Sequence, residues 1–335
     1  MRILVTGGAG YIGTHTCVEL LNKEHNILVL DNFSNSSIKN LKRVEEITKK
    51  SLNFFEGDIR DQSIISKIMN QFKPEAVLHF AGLKIIGESV SKALEYYDVN
   101  VLGSLELLKV IEQTDCNLFI FSSSASVYGL PNYLPCDEHH STLPTNPYGQ
   151  SKLMVEQMLQ DWVKTRNNLH AICLRYFNPI GAHPSGLIGE DPQMIPNNLM
   201  PMISQTAAGK FDKLLIFGDN YKTRDGTGER DYIHVNDLAK GHVLALEKYN
   251  KLKPFQILNL GTGSSTTVRE LIKEFEKITQ QKVPHQIVER RKGDIPSSFA
   301  DTKLAFDLLN FKCEKSISDM CFDAWNWQLN QGNNL

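Results

Sequence analysis

The sequence lacks the marks of a secreted, membrane-bound or nucleic-acid-binding chain. Six cysteines are spread over 335 residues with no CxxC pair, which excludes a small disulfide-stapled scaffold and points to reduced, mostly buried thiols. No apolar run approaches the ~18 residues of a membrane span, and the opening Met1-Arg2-Ile3-Leu4-Val5-Thr6-Gly7 is too short for a signal h-region. Charge of one sign is missing too. The 36 basic and 38 acidic residues leave a net charge of -2, without the overall attraction that nucleic acid or an anionic membrane exploits. There is no internal repeat and no low-complexity tract. The expectation is a cytoplasmic protein with neither nucleic acid nor membrane as partner, and with no metal.

What is present is ordinary globular composition, 41% hydrophobic and 22% charged, at a length that suggests roughly two domains. Short apolar runs alternate with helix-period segments from the start. The strand candidates are Ile3 to Val5, Ile27 to Leu30, Leu52 to Phe55, Ala76 to Phe80, Leu118 to Phe121 and Ala171 to Leu174. Strands separated by helices form parallel sheets, and right-handed crossovers cover both faces, so the fold class is α/β with a doubly wound Rossmann sheet. Ligands of such sheets lie at the carboxyl ends of the strands. After Arg175 the texture changes, because Pro179, Pro184, Pro192, Pro196 and Pro201 with Gly181, Gly186 and Gly189 break any long element. A smaller, loop-rich C-terminal region begins there. Helical patterns return at Val235 to Tyr249, Val268 to Thr279 and Ile317 to Trp327, with a strand-like Gln256 to Leu260 between the first two. The Asn-rich end from Asn330 is expected to fray.

Gly7, Gly10 and Gly13 form GxxGxxG straight after the first strand and open a helix through Cys17 and Leu21. Glycines there let the backbone turn tightly and approach a pyrophosphate, whose charge is favoured by the helix N-terminus. Asp31 ends the second strand 18 residues after Gly13, where a carboxylate accepts hydrogen bonds from adenosine ribose hydroxyls; a turn cap is the alternative role. No Arg or Lys follows Asp31 until Lys39, so NAD is preferred to NADP. Asp58 after the third strand, and Ala81 and Gly82 after the fourth, stand where further cofactor contacts are expected.

Tyr148 and Lys152 lie four apart, which on a helix puts both on one face. A phenol acts as a base if its pKa moves from ~10 toward 7, which takes about 4 kcal/mol from a nearby ammonium and a positively charged nicotinamide. The spacing alone is weak evidence, since Tyr249 and Lys253 repeat it. Position separates the two pairs: Tyr148 follows a fifth strand ending in Ser122-Ser123-Ser124, whereas Pro254 stops the helix that carries Tyr249.

The glycine pattern, the serine run and the Tyr148/Lys152 pair together resemble the extended short-chain dehydrogenase/reductase family. Phe80-Ala81-Gly82-Leu83-Lys84, Ser122 to Gly129, Leu174-Arg175-Tyr176-Phe177-Asn178-Pro179 and Arg230 to Val235 are more closely similar to its UDP-glucose 4-epimerases, and the similarity runs nearly end to end. The resemblance implies catalysis by Ser124, Tyr148 and Lys152. It implies an NAD site lined by Tyr11, Ile12, Asp31, Asn32, Asn35, Ser36, Asp58, Ile59, Phe80, Lys84 and Phe177. Val99 departs from the pattern, standing where some members place Asn. UDP-hexose substrates would meet Asn178, Asn198, Leu199, Leu215, Phe217, Arg230, Arg291, Asp294 and Ser298. Without the resemblance, Arg230 and Arg291 read as surface arginines, and His234 reads as structural or as a helix entry. Ser298 replaces the bulky Tyr found in members restricted to unsubstituted hexoses, which leaves room for a 2-acetamido group. The implied domains are an NAD-binding 1–177 and a UDP-sugar-binding 178–335, with part of about 231–262 returning to the first. A homodimer is implied through the amphipathic segments Val90 to Ile111 and Ser151 to Val163; packing them inside one chain is the alternative.

Overall fold

Seven short strands hydrogen-bond side by side in the computed structural model, which describes residues 1–192, 196–291 and 293–332. They are β1 (Arg2–Thr6), β2 (Asn26–Asp31), β3 (Asn53–Glu56), β4 (Ala76–His79), β5 (Leu118–Ser124), β6 (His170–Tyr176) and β7 (Phe255–Leu260). Their order is β7-β6-β5-β4-β1-β2-β3 and every pairing is parallel. The period of two divides each strand between two cores. Ile3, Val5, Val29, Leu78, Ile120 and Leu174 face one, beneath helices Tyr11–Asn22 and Val235–Lys248. Leu4, Leu28, Leu30, Val77, Phe119 and Phe121 face the other, beneath helices Gln62–Phe72 and Pro147–Trp162. Both faces are covered, so the strands read as near-continuous apolar runs.

β7 extends this sheet beyond β6 from far along the chain. The return is anchored by the buried Asp231, whose carboxylate accepts from Thr262 N (2.8 Å), Gly263 N (3.0 Å) and Ala300 N (3.2 Å). Between Phe177 and the C-terminus the remaining strands are two to four residues long. Asn178–Ile180 pairs with Tyr232–His234, Glu229–Arg230 lies between Thr266–Thr267 and Ser297–Ser298, and Leu214–Phe217 pairs with His285–Val288. A separate core built on Ile203, Ile216, Leu271, Phe275 and Cys321 holds them together. The terminal helix runs from Ile317 to Gly332, and Asn330 Nδ2 donates to Gly186 O at 3.1 Å. Asn330 is therefore held against Gly186; of the end expected to fray, residues 333–335 lie outside the described residues.

Candidate active site

The carboxyl ends of β1, β2, β4 and β5 open on one edge of the sheet. After β1 the chain turns at Gly7, whose φ of 69° is left-handed, and a Cβ there would come within 2.5 Å of Ala81 N. A Cβ on Gly13 would meet Gly7 O at 2.3 Å. These positions demand glycine for the close approach of the two backbones. Helix Tyr11–Asn22 begins at Gly10 with no side-chain cap, so its first N–H groups face the cleft, free for an anion. Asp31 is buried and does two things. Oδ2 accepts from Ala9 N at 2.9 Å, while Oδ1 accepts from Phe33 N at 3.0 Å and Ser36 Oγ at 2.8 Å. Both oxygens therefore brace the turn around the strand end, which is the turn-cap role. Asn35 is exposed beside it. Asn32 Nδ2 donates to Asp58 at 2.9 Å, and the side-chain bond from Arg60 holds Asp58 down at about 2. The side chains of Ile59 and Ile12 pack into the two cores beside the cleft.

After β4, Phe80 and Ala81 lead to Gly82, which carries Asn100 against it: a Cβ on Gly82 would lie 2.9 Å from Asn100 Oδ1. Asn100 is buried, accepts from Leu83 N at 2.8 Å and donates to Ser151 Oγ at 3.0 Å. Asn100 follows Val99 within the π-turn Tyr97–Leu102. Lys84 Nζ reaches Glu190 at 2.8 Å and lies 5.8 Å from the Tyr11 ring. Tyr11 OH donates to Gly181 O at 2.7 Å.

Ser124 ends β5, and its Oγ accepts from Ser126 N at 3.1 Å. Asn146 caps helix Pro147–Trp162 with Pro147 in its first turn, which fixes Tyr148 and Lys152 one turn apart at the sheet edge. Both are buried. Lys152 Nζ donates to Ser122 O at 2.8 Å and lies 5.8 Å from the Tyr148 ring. Burial pushes the Tyr148 phenol above its ordinary range, and a hydrogen bond with Ser124 opposes it. Burial pulls Lys152 down to about 8, opposed by Glu156. The protein groups alone therefore keep the phenol protonated at neutral pH, with the Lys152 ammonium 5.8 Å from its ring. Phe177 is buried in a small cluster with Val127 and Leu153 alongside.

The second region faces this edge. Asn198 precedes helix Leu199–Ala207 without a side-chain capping bond, and its Nδ2 donates to the same Glu190 oxygen as Lys84, at 2.6 Å. Leu199 packs on the second region's core and Asn178 is exposed. Leu215 and Phe217 alternate onto one face of their strand, where the Arg291 guanidinium stacks 3.8 Å from the Phe217 ring. Arg230 Nη1 donates to Glu229 O at 2.8 Å. Its backbone is in register with Ser298, which is buried. Arg290 stacks 4.0 Å from the Tyr221 ring, and Asp294 and the arginines 230, 290 and 291 all act electrostatically on its phenol. Sequence reasoning did not single out Tyr221, Arg290, Glu190 or Asn100. His234 is a helix entry, with Nδ1 accepting from Asn236 N at 3.0 Å and Nε2 3.1 Å from Asp323.

The NAD dependent epimerase/dehydratase family matches residues 3–261. A UDP-glucose 4-epimerase of Bacillus subtilis is 51% identical over 328 residues, 98% of this chain and 97% of its own. A Stenotrophomonas maltophila UDP-glucose-4-epimerase, solved with bound NAD and formylated UDP-arabinopyranose, superposes with a TM-score of 0.98 at 47% identity over 100% of both chains. The Bifidobacterium longum enzyme in complex with NAD+ and UDP gives 0.95 at 46% identity over 100% of both chains. With its glycine cradle and its Ser124, Tyr148 and Lys152 at the sheet edge, the chain belongs to the NAD dependent epimerase/dehydratase family.

Proposed function

We propose that the chain interconverts UDP-glucose and UDP-galactose by inverting C4 of the hexose, with NAD bound in the cleft. The observation that carries this reading is the convergence of the Gly7 and Gly82 cradle with the Ser124, Tyr148 and Lys152 side chains on one sheet edge. Backbone N–H groups at Tyr11 to Gly13 take the pyrophosphate, and Asp31, with Asn32, Asn35 and Ser36, borders the adenosine ribose. Reversible hydride exchange with C4 is the chemistry NAD supplies when bound, so none is consumed over a cycle. Tyr148 as phenolate takes the proton of the sugar 4-hydroxyl, and Ser124 bonds the same oxygen as it becomes the carbonyl of a 4-keto sugar. Lys152 holds the nicotinamide ribose, and its charge together with that of the bound nicotinamide favours the phenolate. Arg230 and Arg291 grip the diphosphate through their planar donors, and Leu215 and Phe217 pack on the uracil. The keto sugar is held loosely, turns over and takes hydrogen on its other face.

A 4,6-dehydratase would share these parts but needs an acid and a base after the central hydroxyl residue, where Ala125 and Ser126 stand. The test is incubation of the purified protein with UDP-galactose and no added cofactor, followed by NMR. UDP-glucose is the expected product. A 4-keto-6-deoxy sugar would transfer the chain to the dehydratases, and unchanged substrate would overturn the assignment.

The small Ser298 beside Arg230 supports a second pair of substrates, UDP-GlcNAc and UDP-GalNAc. Exposed Val90 and Leu94 support a homodimer, and six unpaired thiols suit the reducing cytoplasm.

A further inference from the structure

Helix Pro147–Trp162 places Glu156 one turn beyond Lys152, on the same face. The carboxylate is 2% exposed, a depth at which an ionised acid must be paired. Its Oε1 accepts from Ser123 Oγ at 2.5 Å and from Arg175 Nε at 2.9 Å, and its Oε2 accepts from Arg175 Nη2 at 2.6 Å. Arg175 comes from β6 and rests over the Tyr128 ring at 4.9 Å. Ser123 is the link that matters. It lies between Ser122, whose carbonyl receives the Lys152 ammonium, and Ser124, which bonds the phenol. Around Lys152 stand Tyr148 on its own helix, the Phe121 ring of β5 at 4.9 Å and His79 of β4. Burial, with help from Lys152 itself, holds His79 down at about 3, so it is neutral. Among the described residues, Glu156 is the one acid that acts on the Lys152 ammonium.

We propose that Glu156 is a positioning residue for the reaction: it keeps the Lys152 ammonium charged inside a dry site and, through Ser123, fixes the strand edge that presents Ser122 O and Ser124 Oγ. The inference rests on the reading of Ser124, Tyr148 and Lys152 as the reacting groups. A purely structural ion pair would brace the same elements but would leave the lysine's titration alone.

The test compares Glu156→Gln, which keeps the shape and removes the charge, with Glu156→Gln/Arg175→Met, which removes both charges and leaves no buried guanidinium unpaired. The titration of Lys152 is followed by NMR on 13C-lysine-labelled protein as purified, its signal assigned by its loss in Lys152→Met. Without the carboxylate the ammonium gives up its proton more readily, so the midpoint falls in both variants, and by less in the double variant, where the Arg175 charge leaves with it. The basic limb of the kcat profile moves the same distance toward lower pH. An unmoved midpoint in the double variant, folded with an unchanged Tm, overturns the proposal whatever its turnover. Tyr148→Phe separates the two failures: near-normal turnover there would remove the reacting groups themselves, whereas an inactive Tyr148→Phe with an unmoved Lys152 removes Glu156 alone.

Discussion

A buried ammonium is the most expensive residue in the site. The fall of Lys152 from 10.5 to about 8 corresponds to about 3 kcal/mol of destabilisation at neutral pH. The sign follows from proton uptake: between these two values the unfolded chain binds the proton that the folded chain has lost. The penalty is complete below pH 8 and is relieved as pH rises toward 10.5. Lys152→Met should therefore raise Tm at pH 7 while abolishing turnover, and the gain should shrink in a melt at pH 10. Tyr148→Phe is expected to keep NAD, by absorbance of the denatured supernatant, yet lose at least about a hundredfold in kcat. Ser298→Tyr should abolish UDP-GlcNAc turnover and spare UDP-galactose; undetectable UDP-GlcNAc turnover in the unaltered protein would sink the acetamido reading first. Residues of this kind were legible when they sat at a strand end, as Asp31 and Ser124 do. Glu190 was not, because nothing in the sequence says that Lys84 and Asn198, more than a hundred residues apart, share one of its oxygens.

Elements were read best where burial imposes a period. The six candidate strands before Arg175 and Gln256 to Leu260 are all in the sheet; most are continuous apolar runs because they are covered on both faces, whereas Asn53–Glu56, at the sheet edge, is mostly exposed. The two-residue strands Glu229–Arg230, Thr266–Thr267 and Ser297–Ser298 carry too few side chains for any alternation to register. The glycine turn is legible for a different reason: its constraint is local. At Gly7 a methyl group meets main chain at 2.5 Å, and the φ of 69° is one that L side chains resist. Neither obstacle is a flexible side chain that could swing away. Gly7→Ala should cost on the order of 1–3 kcal/mol and spread β1 from the Ala81 turn, so the protein should lose both Tm and its NAD on gel filtration. Full NAD occupancy in that variant would show that the turn has slack.

At the scale of the molecule, what sequence leaves open is how the surfaces are covered. The segment Ile86–Ser91 and Ala93–Tyr96 turns Ile86, Val90 and Leu94 outward at intervals of four, and Val90 is 68% and Leu94 84% exposed. Leu102 and Leu105 continue the exposed apolar line. Isolated surface leucines need no explanation, but a row of them along helical turns marks an interface. The row backs onto the active-site helix, since Tyr96 OH donates to Ile85 O at 2.7 Å and Asn100 donates to Ser151 at 3.0 Å. A second copy of the chain presenting the same row would bury both at once, as a two-fold interface requires. Val90→Glu/Leu94→Glu places two carboxylates at its centre without touching either core, so the variant should fold with the wild-type circular dichroism spectrum. Light scattering on a size-exclusion column should then give one chain of 37.9 kDa, where two are expected for the unaltered protein. Because the row is braced against Asn100 and Ser151, kcat should fall with the mass. A monomeric mass for the unaltered protein would mean that these leucines face water and that the active site is complete within one chain.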